Sequence, residues 1–252
     1  MRLTHLIFLL YFFSFLNCKQ LKLEPTKIEG KLIQITDTLL VDPEIESYIK
    51  PFRNHIQKDL DSVLAYSVNT YSKSDGLFNT AIGNFMADAV YSEANPVFKS
   101  RTGKNIDMVL LNHGGIRSIL PKGHVTKRTA YEIMPFENSI VVVALKSNQI
   151  DSLVNYLCRK KKAHPISKLK LTINENGKII ETKIKGEAIK SDKIYYVATN
   201  DYLYNGGDNM TFFQTNDSLY VLNYKIRNAL IDNFKKIDTI NPVIDDRFVQ
   251  IK

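Results

Sequence analysis

"NIDMVLLNHGGIR", residues 105 to 117, decides how the rest of the chain is read. Asp107 to Leu111 is a short apolar run, which reads as a buried strand, and it ends at Asn112 in a di-glycine turn. "KIYYVATNDYLYNGGD", residues 193 to 208, repeats the design: a β-rich run, an asparagine, an aromatic and Gly206-Gly207 before Asp208. Glycine is needed where the backbone takes positive φ or where a ligand must approach the main chain. Gly114-Gly115 and Gly206-Gly207 are therefore read either as plain turns or as turns flooring a pocket.

Working outward, "SIVVVALKS" at 139 to 147 is a second apolar run whose β-branched residues suit a central strand. Ser147 is placed to cap the helix "SNQIDSLVNYLCRKK" that follows. "NTAIGNFMADAVY" puts Ile82, Phe85, Met86, Ala89 and Val90 on one helical face. "ISKLKLTINENGKIIETKIKG" alternates around Glu175-Asn176-Gly177, the signature of a hairpin. "SLYVLNYKIRNALIDNF" reads as a closing helix before the tail "VIDDRFVQIK". Strands and helices interleave with a hairpin inserted, so the fold class is α/β of the α+β type, a mixed β-sheet covered by helices.

Upstream, Ile45, Ile49, Phe52, Ile56, Leu60, Val63 and Leu64 recur at helical spacing across Pro51, which predicts a kinked linker helix over Asp42 to Leu64. Residues 18 to 41 form a polar tether. Residues 1 to 17 carry Arg2 and an apolar run from Leu6 to Leu16 too short to span a bilayer, which reads as a secretory signal. Cys18 stands where a lipoprotein signal would end, so the expectation is an exported protein of the periplasm or cell envelope, lipid-anchored through Cys18. Membrane contact is expected through that anchor alone. Cys158 is the second of 2 cysteines, so the body of the chain offers it no disulfide partner.

The 252 residues carry a formal net charge of +8, yet the lysines are dispersed. The dense run "CRKKKAH" at 158 to 164 falls at a helix C-terminus, where cations suit the dipole. A nucleic-acid partner is not expected on this pattern.

Chemistry enters through side chains beside the turns. A carboxylate such as Asp208 can accept two hydroxyl hydrogen bonds, as from a ribose diol, and an aromatic ring such as Tyr202 offers a stacking face. "YEIMPFENS" adds Phe136 behind Pro135; "NHGGIR" adds Asn112 as an amide reader and Arg117 as an anion partner. Together these would form a nucleoside clamp.

The same stretches, in this order, resemble the C-terminal domain of the 5′-nucleotidase family. "NHGGIR" is similar to its Asn-x-Gly-Gly-Ile-Arg motif, "MPFENS" to Pro-Phe-x-Asn, and "NDYLYNGGD" to Asn-Asp-(aromatic)-Leu-x-x-Gly-Gly-Asp; "AIGNFMADA", "HPISKLKLTI" and "DDRFVQI" match more weakly. The resemblance covers residues 42 to 252. It implies that Phe136 and Tyr202 sandwich a base, Asn112 meets its polar edge, Asp208 binds ribose hydroxyls and Arg117 lies near ribose and phosphate.

Two departures accompany it. The family carries an arginine before its Gly-Asn helix motif, whereas "SKSDGLFNTAIGN" has only Lys73 upstream. The family's catalysis resides in a metallophosphoesterase domain with Asp-x-His, Gly-Asp-x-x-Asp, Gly-Asn-His and Gly-His-x-His motifs, and none occurs here. His55, His113, His124 and His164 are scattered, with His113 read as a loop residue, and the stretch before Asp42 is too short for such a domain. The expectation is no catalytic residue, metal or cofactor in this chain. It is expected to be the nucleotide-binding half of a split phosphomonoesterase, whose divalent metals sit in a separate metallophosphoesterase chain. The alternatives are a nucleoside-binding surface lipoprotein and a structural remnant whose clamp has fallen out of use.

Overall fold

The computed structural model describes residues 27 to 252; the signal segment, Cys18 and the start of the tether lie outside the described residues. Contacts divide the chain into two units, Met1–Tyr48 and Ile49–Lys252. In the first, Asp42 Oδ1 accepts from the amides of Glu44 at 2.9 Å and Ile45 at 3.2 Å. It thereby caps helix α1, Pro43–Leu60, which continues through Pro51. The helix stops four residues before the expected Leu64, because Ser62 Oγ turns back to the Asp59 carbonyl and Val63 enters a strand. None of its residues is buried: Ile45, Phe52 and Ile56 of the apolar period are exposed and Ile49 is partly covered.

Within Ile49–Lys252 the strands form three sheets, not one. The central sheet has order β10-β4-β9-β2-β5, where β2 is Met108–Leu110, β4 Ser139–Leu145, β5 Ile166–Ser167, β9 Tyr195–Asn200 and β10 Ser218–Lys225. β9 pairs in parallel with β2 and antiparallel with β4, making the sheet mixed. Alternate residues of β4 serve different cores. Val142 packs with Met86, Val90 and Phe98 of helix α2, Ala81–Thr102, while Val141 and Val143 pack with Ile150, Leu153 and Leu157 of helix α3, Ser147–Lys160. Burial on both faces is why "IVVVAL", residues 140 to 145, is apolar throughout instead of alternating, and each fully buried aliphatic contributes roughly 1.5–3 kcal/mol.

Helix α2 is capped by Thr80, whose Oγ1 accepts from the Gly83 amide at 3.2 Å, and it ends at Gly103 with φ 73°. Helix α3 departs from expectation at its start. Ser147 is its first residue, the N-cap is Lys146, and the Ser147 hydroxyl donates to the Ser191 carbonyl at 3.1 Å.

The expected hairpin is present: β6 (Leu169–Ile173) pairs antiparallel with β7 (Ile179–Ile184) around Gly177, at φ 77°. The C-terminal strand Phe248–Gln250 joins the same sheet in parallel with β6. Residues 218 to 225, expected to begin the closing helix, are instead strand β10 on the open edge of β4; the helix, α4, spans only Ile226–Phe234.

Candidate functional site

Sheet topology brings the motifs together before any side chain is considered. β2 and β9 are parallel neighbours, so the NHGG and YNGGD turns leave the same end of the sheet. β4 runs the other way beside β9, with Ile140 opposite Asn200, so the preceding PFEN segment arrives at that end too. Ligands of such sheets lie beyond the carboxyl ends of parallel strands. A cleft of about 320 Å³ opens there, lined by Asn112, Gly114, Arg117, Phe136, Asn138, Tyr202 and Asp208.

Asn112 lies two residues beyond the end of β2 and is 8% exposed. Its amide lies against the two glycines: a Cβ on Gly115 would sit 3.0 Å from Asn112 Oδ1, and one on Gly114 3.4 Å from Nδ2. Glycine here makes room for the amide; neither residue is at positive φ. Asn200 Nδ2 approaches Asn112 Oδ1 at 3.5 Å, and Asn200 Oδ1 accepts from the Leu203 amide at 2.8 Å. It thus caps the one-turn helix Asp201–Tyr204, which carries Tyr202 and was expected to be strand end.

Gly206 turns the chain with φ 91°, and Asp208 follows at φ 52°, a left-handed conformation uncommon for a non-glycine residue. Tyr202 and Asp208 are bonded in both directions, the phenol donating to Asp208 Oδ1 at 3.1 Å and accepting from the Asp208 amide at 3.2 Å. The second carboxylate oxygen and the ring face remain for other contacts. A Cβ on Gly207 would fall 2.5 Å from the Tyr202 ring, so this glycine is a steric requirement of the ring's position.

Phe136 on the other wall is 41% exposed and Tyr202 45% exposed, which is the condition for apolar rings to offer a stacking face. Arg117 sits with its guanidinium carbon 5.8 Å from the Phe136 centroid. The Phe136 segment is held by buried Arg227, which donates to the carbonyls of Met134, Pro135 and Phe136 at 3.4, 3.1 and 3.4 Å and pairs with Glu137. Lys73, the cation upstream of the Gly-Asn helix, donates to the Ile116 carbonyl at 2.8 Å, one residue before Arg117.

Two histidines lie at this end of the sheet. His113 Nδ1 is 3.2 Å from the Ala163 carbonyl and therefore donates to it, while the His113 amide donates to His164 Nδ1 at 3.3 Å. His164 is 4% exposed, and burial pushes its pKa down to about 4. Burial, with Lys73 and Lys162 nearby, lowers that of His113 as well. Sequence reading set both aside as scattered, His113 as a loop residue, and it gave Asn138 no role, although the last position of the PFEN motif carried the signal. Among the described residues no group of three or more His, Cys, Asp or Glu is placed to hold a metal ion. A wider hollow of about 780 Å³ lies along Tyr91, Lys168 and Lys185, but its strongest charges are matched internally, Arg247 with Asp88 and Asp245 and Lys170 with Asp246.

Fold and cleft together define an α+β domain with a polar, aromatic-walled cleft at the carboxyl end of its central parallel pair. Residues 62–215 match the 5′-nucleotidase C-terminal domain, and the chain belongs to that family. It is 26% identical over 228 residues to the trifunctional nucleotide phosphoesterase protein YfkN of Bacillus subtilis, covering 83% of this chain and 15% of that protein. To the cell wall protein Lmo0130 of Listeria monocytogenes it is 28% identical over 167 residues, covering 60% and 21%. The 5′-nucleotidase precursor from Thermus thermophilus superposes with a TM-score of 0.68 at 20% identity, over 82% of this chain and 42% of that one, which establishes the shared fold. The chain therefore spans less than half the length of each of these proteins.

Proposed function

We propose that this domain binds a nucleoside or nucleotide in the cleft and serves as the substrate-binding half of a phosphomonoesterase whose metal chemistry resides in a separate metallophosphoesterase chain. The observation that carries the reading is the convergence of Asn112, Arg117, Phe136, Tyr202 and Asp208, from three separated loops, on one cleft. In this reading Phe136 and Tyr202 stack on the base, Asn112 meets its edge, the Asp208 carboxylate accepts from ribose hydroxyls, and Arg117 faces the phosphate side. Stacking tolerates every base, so base preference rests on Asn112 and Asn138. Exported, lipid-anchored placement through Cys18 is part of the same proposal, and the cell wall name of the Listeria relative supports the exported part.

A second reading, a nucleoside-binding surface lipoprotein without a catalytic partner, is favoured by one observation. The family arginine has no counterpart, and Lys73, the cation nearest to it in sequence, is engaged by the Ile116 carbonyl.

Calorimetry of the purified protein with adenosine and with AMP tests both, alongside capture of metallophosphoesterase chains and an assay of AMP hydrolysis with them added. Binding of both ligands, weakened by Tyr202→Ala, with hydrolysis appearing only when the second chain is added, supports the first reading. Adenosine binding with no preference for AMP and no stimulation supports the second. Absence of binding to either ligand overturns the clamp.

A further inference from the structure

The two glycine turns that build the cleft arise 88 residues apart, counted from Asn112 to Asn200. Behind them is a structure that neither motif contains. Tyr156, on helix α3, is 3% exposed and donates its hydroxyl to the Asp208 carbonyl at 2.9 Å. His164, four residues beyond the end of that helix, accepts at Nδ1 from the His113 amide at 3.3 Å. The two rings pack on each other with centroids 5.7 Å apart. One side chain of the pair thus holds the YNGGD turn and the other the NHGG turn, and the ring contact joins them.

The backbone held at each end supports this reading. Asp208 sits in left-handed conformation at φ 52°, which persists only where surroundings fix it, and the Tyr156 hydroxyl binds its carbonyl. With Nδ1 accepting, the neutral His164 ring carries its proton on Nε2, which is buried and without a partner. A buried donor left unsatisfied is costly, so a residue chosen for core stability alone would be apolar here. Deletion of polarity at His164 should accordingly cost the fold little and the turn much.

We infer that Tyr156 and His164 form a strut behind the cleft that fixes the spacing of the two glycine turns, and so position Asn112 and Asp208 relative to one another for a nucleoside. The ligand class rests on the reading of the cleft given above; the strut itself does not. Both residues are positioning residues, since neither lines the cleft.

The test uses the full protein and four forms: wild type, Tyr156→Phe, which keeps the ring and removes the hydroxyl, His164→Leu, and His164→Asn, whose side-chain oxygen can take over the acceptor role of Nδ1. Amide hydrogen exchange of residues 113–115 and 206–209 is read beside adenosine affinity and melting temperature. Mechanical linkage predicts that each variant accelerates exchange in the turn it does not touch: Tyr156→Phe at 113–115 and His164→Leu at 206–209. Adenosine affinity should fall at least about fivefold in both, the change expected from losing one net hydrogen bond of about 1 kcal/mol, with partial recovery in His164→Asn. If each substitution loosens only its own turn, the strut is overturned whatever happens to affinity. If exchange is coupled across the turns but wild type does not bind adenosine, the strut stands and the nucleoside reading falls. Unchanged exchange in both turns in folded variants refutes the inference outright.

Discussion

Gly207→Ala isolates the proposed role of Tyr202 without touching the tyrosine. An alanine Cβ would lie 2.5 to 2.6 Å from three ring carbons of Tyr202, a separation no packed pair of carbons tolerates. Gly207 is not at positive φ, so its backbone accepts alanine and the clash must be relieved by the ring. Tyr202 is 45% exposed and swings into solvent, losing both hydrogen bonds to Asp208. Because these bonds are exposed, the stability cost is about 0.5–1.5 kcal/mol, a fall in melting temperature of only a few degrees for a domain of this size. The ligand cost is larger: losing one aromatic stacking face on a base is worth about 1–3 kcal/mol, or roughly 5- to 150-fold in Kd. Calorimetry with adenosine should show that weakening, Tyr202→Ala should match it, and the double variant should lose no more than either alone, since both remove the same face. Gly207→Ala binding within about twofold of wild type would refute the reasoning, because the placement of the ring would then be irrelevant to the ligand.

Other outcomes follow from the same geometry. His164 is buried neutral with its pKa lowered to about 4 by burial, with the Asp208 carboxylate opposing the shift and His113 and Lys162 reinforcing it. The unfolded chain takes up a proton near pH 6.5 that the native one refuses, so stability is full above pH 6.5, declines as pH falls to about 4 and then levels; the decline is about 3 kcal/mol. Urea midpoints at pH 7, 5 and 4 should trace it, and His164→Asn should make the decline shallower, leaving the part owed to His113, whose pKa burial also lowers; equal slopes in the two would contradict the assignment. Phe248→Ala removes a buried ring 4.8 Å from that of Phe78 and should cost about 3–5 kcal/mol in urea unfolding; a change under about 1 kcal/mol would mean that the C-terminal strand is not part of the core. Arg227→Leu leaves three carbonyls without their charged donor and should cost about 2–3 kcal/mol while weakening adenosine binding through a loosened Phe136; loss of stability with wild-type affinity would refute the second half. Chelation with EDTA should leave adenosine affinity unchanged, as none of the cleft contacts proposed here runs through a metal.

What was legible in the sequence was legible because it is local. The Asn-Gly turn needed a residue at positive φ, and Gly177 supplies it; the apolar run at 139 to 145 had to be a strand buried on both faces. Asn112, Arg117, Tyr202 and Asp208 could be named because each stands beside a turn whose glycines are visible, and Phe136 because it follows Pro135 in a separate motif. Where pairing across the chain decides, local reading failed. Residues 218 to 225 carry tyrosines, leucine and valine at spacings that suit helix or strand, and only the open edge of β4 selects the strand. The apolar period at 45 to 56 correctly announced a helix but said nothing of burial. The role of His164, just past a lysine-rich helix end, was hidden because its partner His113 lies 51 residues away and no local pattern links them.

Arg227 has one more consequence. The family match ends at residue 215, yet the guanidinium that holds the Phe136 wall is 12 positions beyond it, on a helix preceded by a strand that completes the central sheet. The recognisable motif block and the cooperative folding unit therefore have different borders. Contacts spanning 90 residues pay their loop-closure entropy late, so in a chain emerging from its N-terminus the Phe136 wall can set only after residue 227 has been made. A wall of the cleft written well before the YNGGD turn is thus among the last parts of the molecule to acquire its shape.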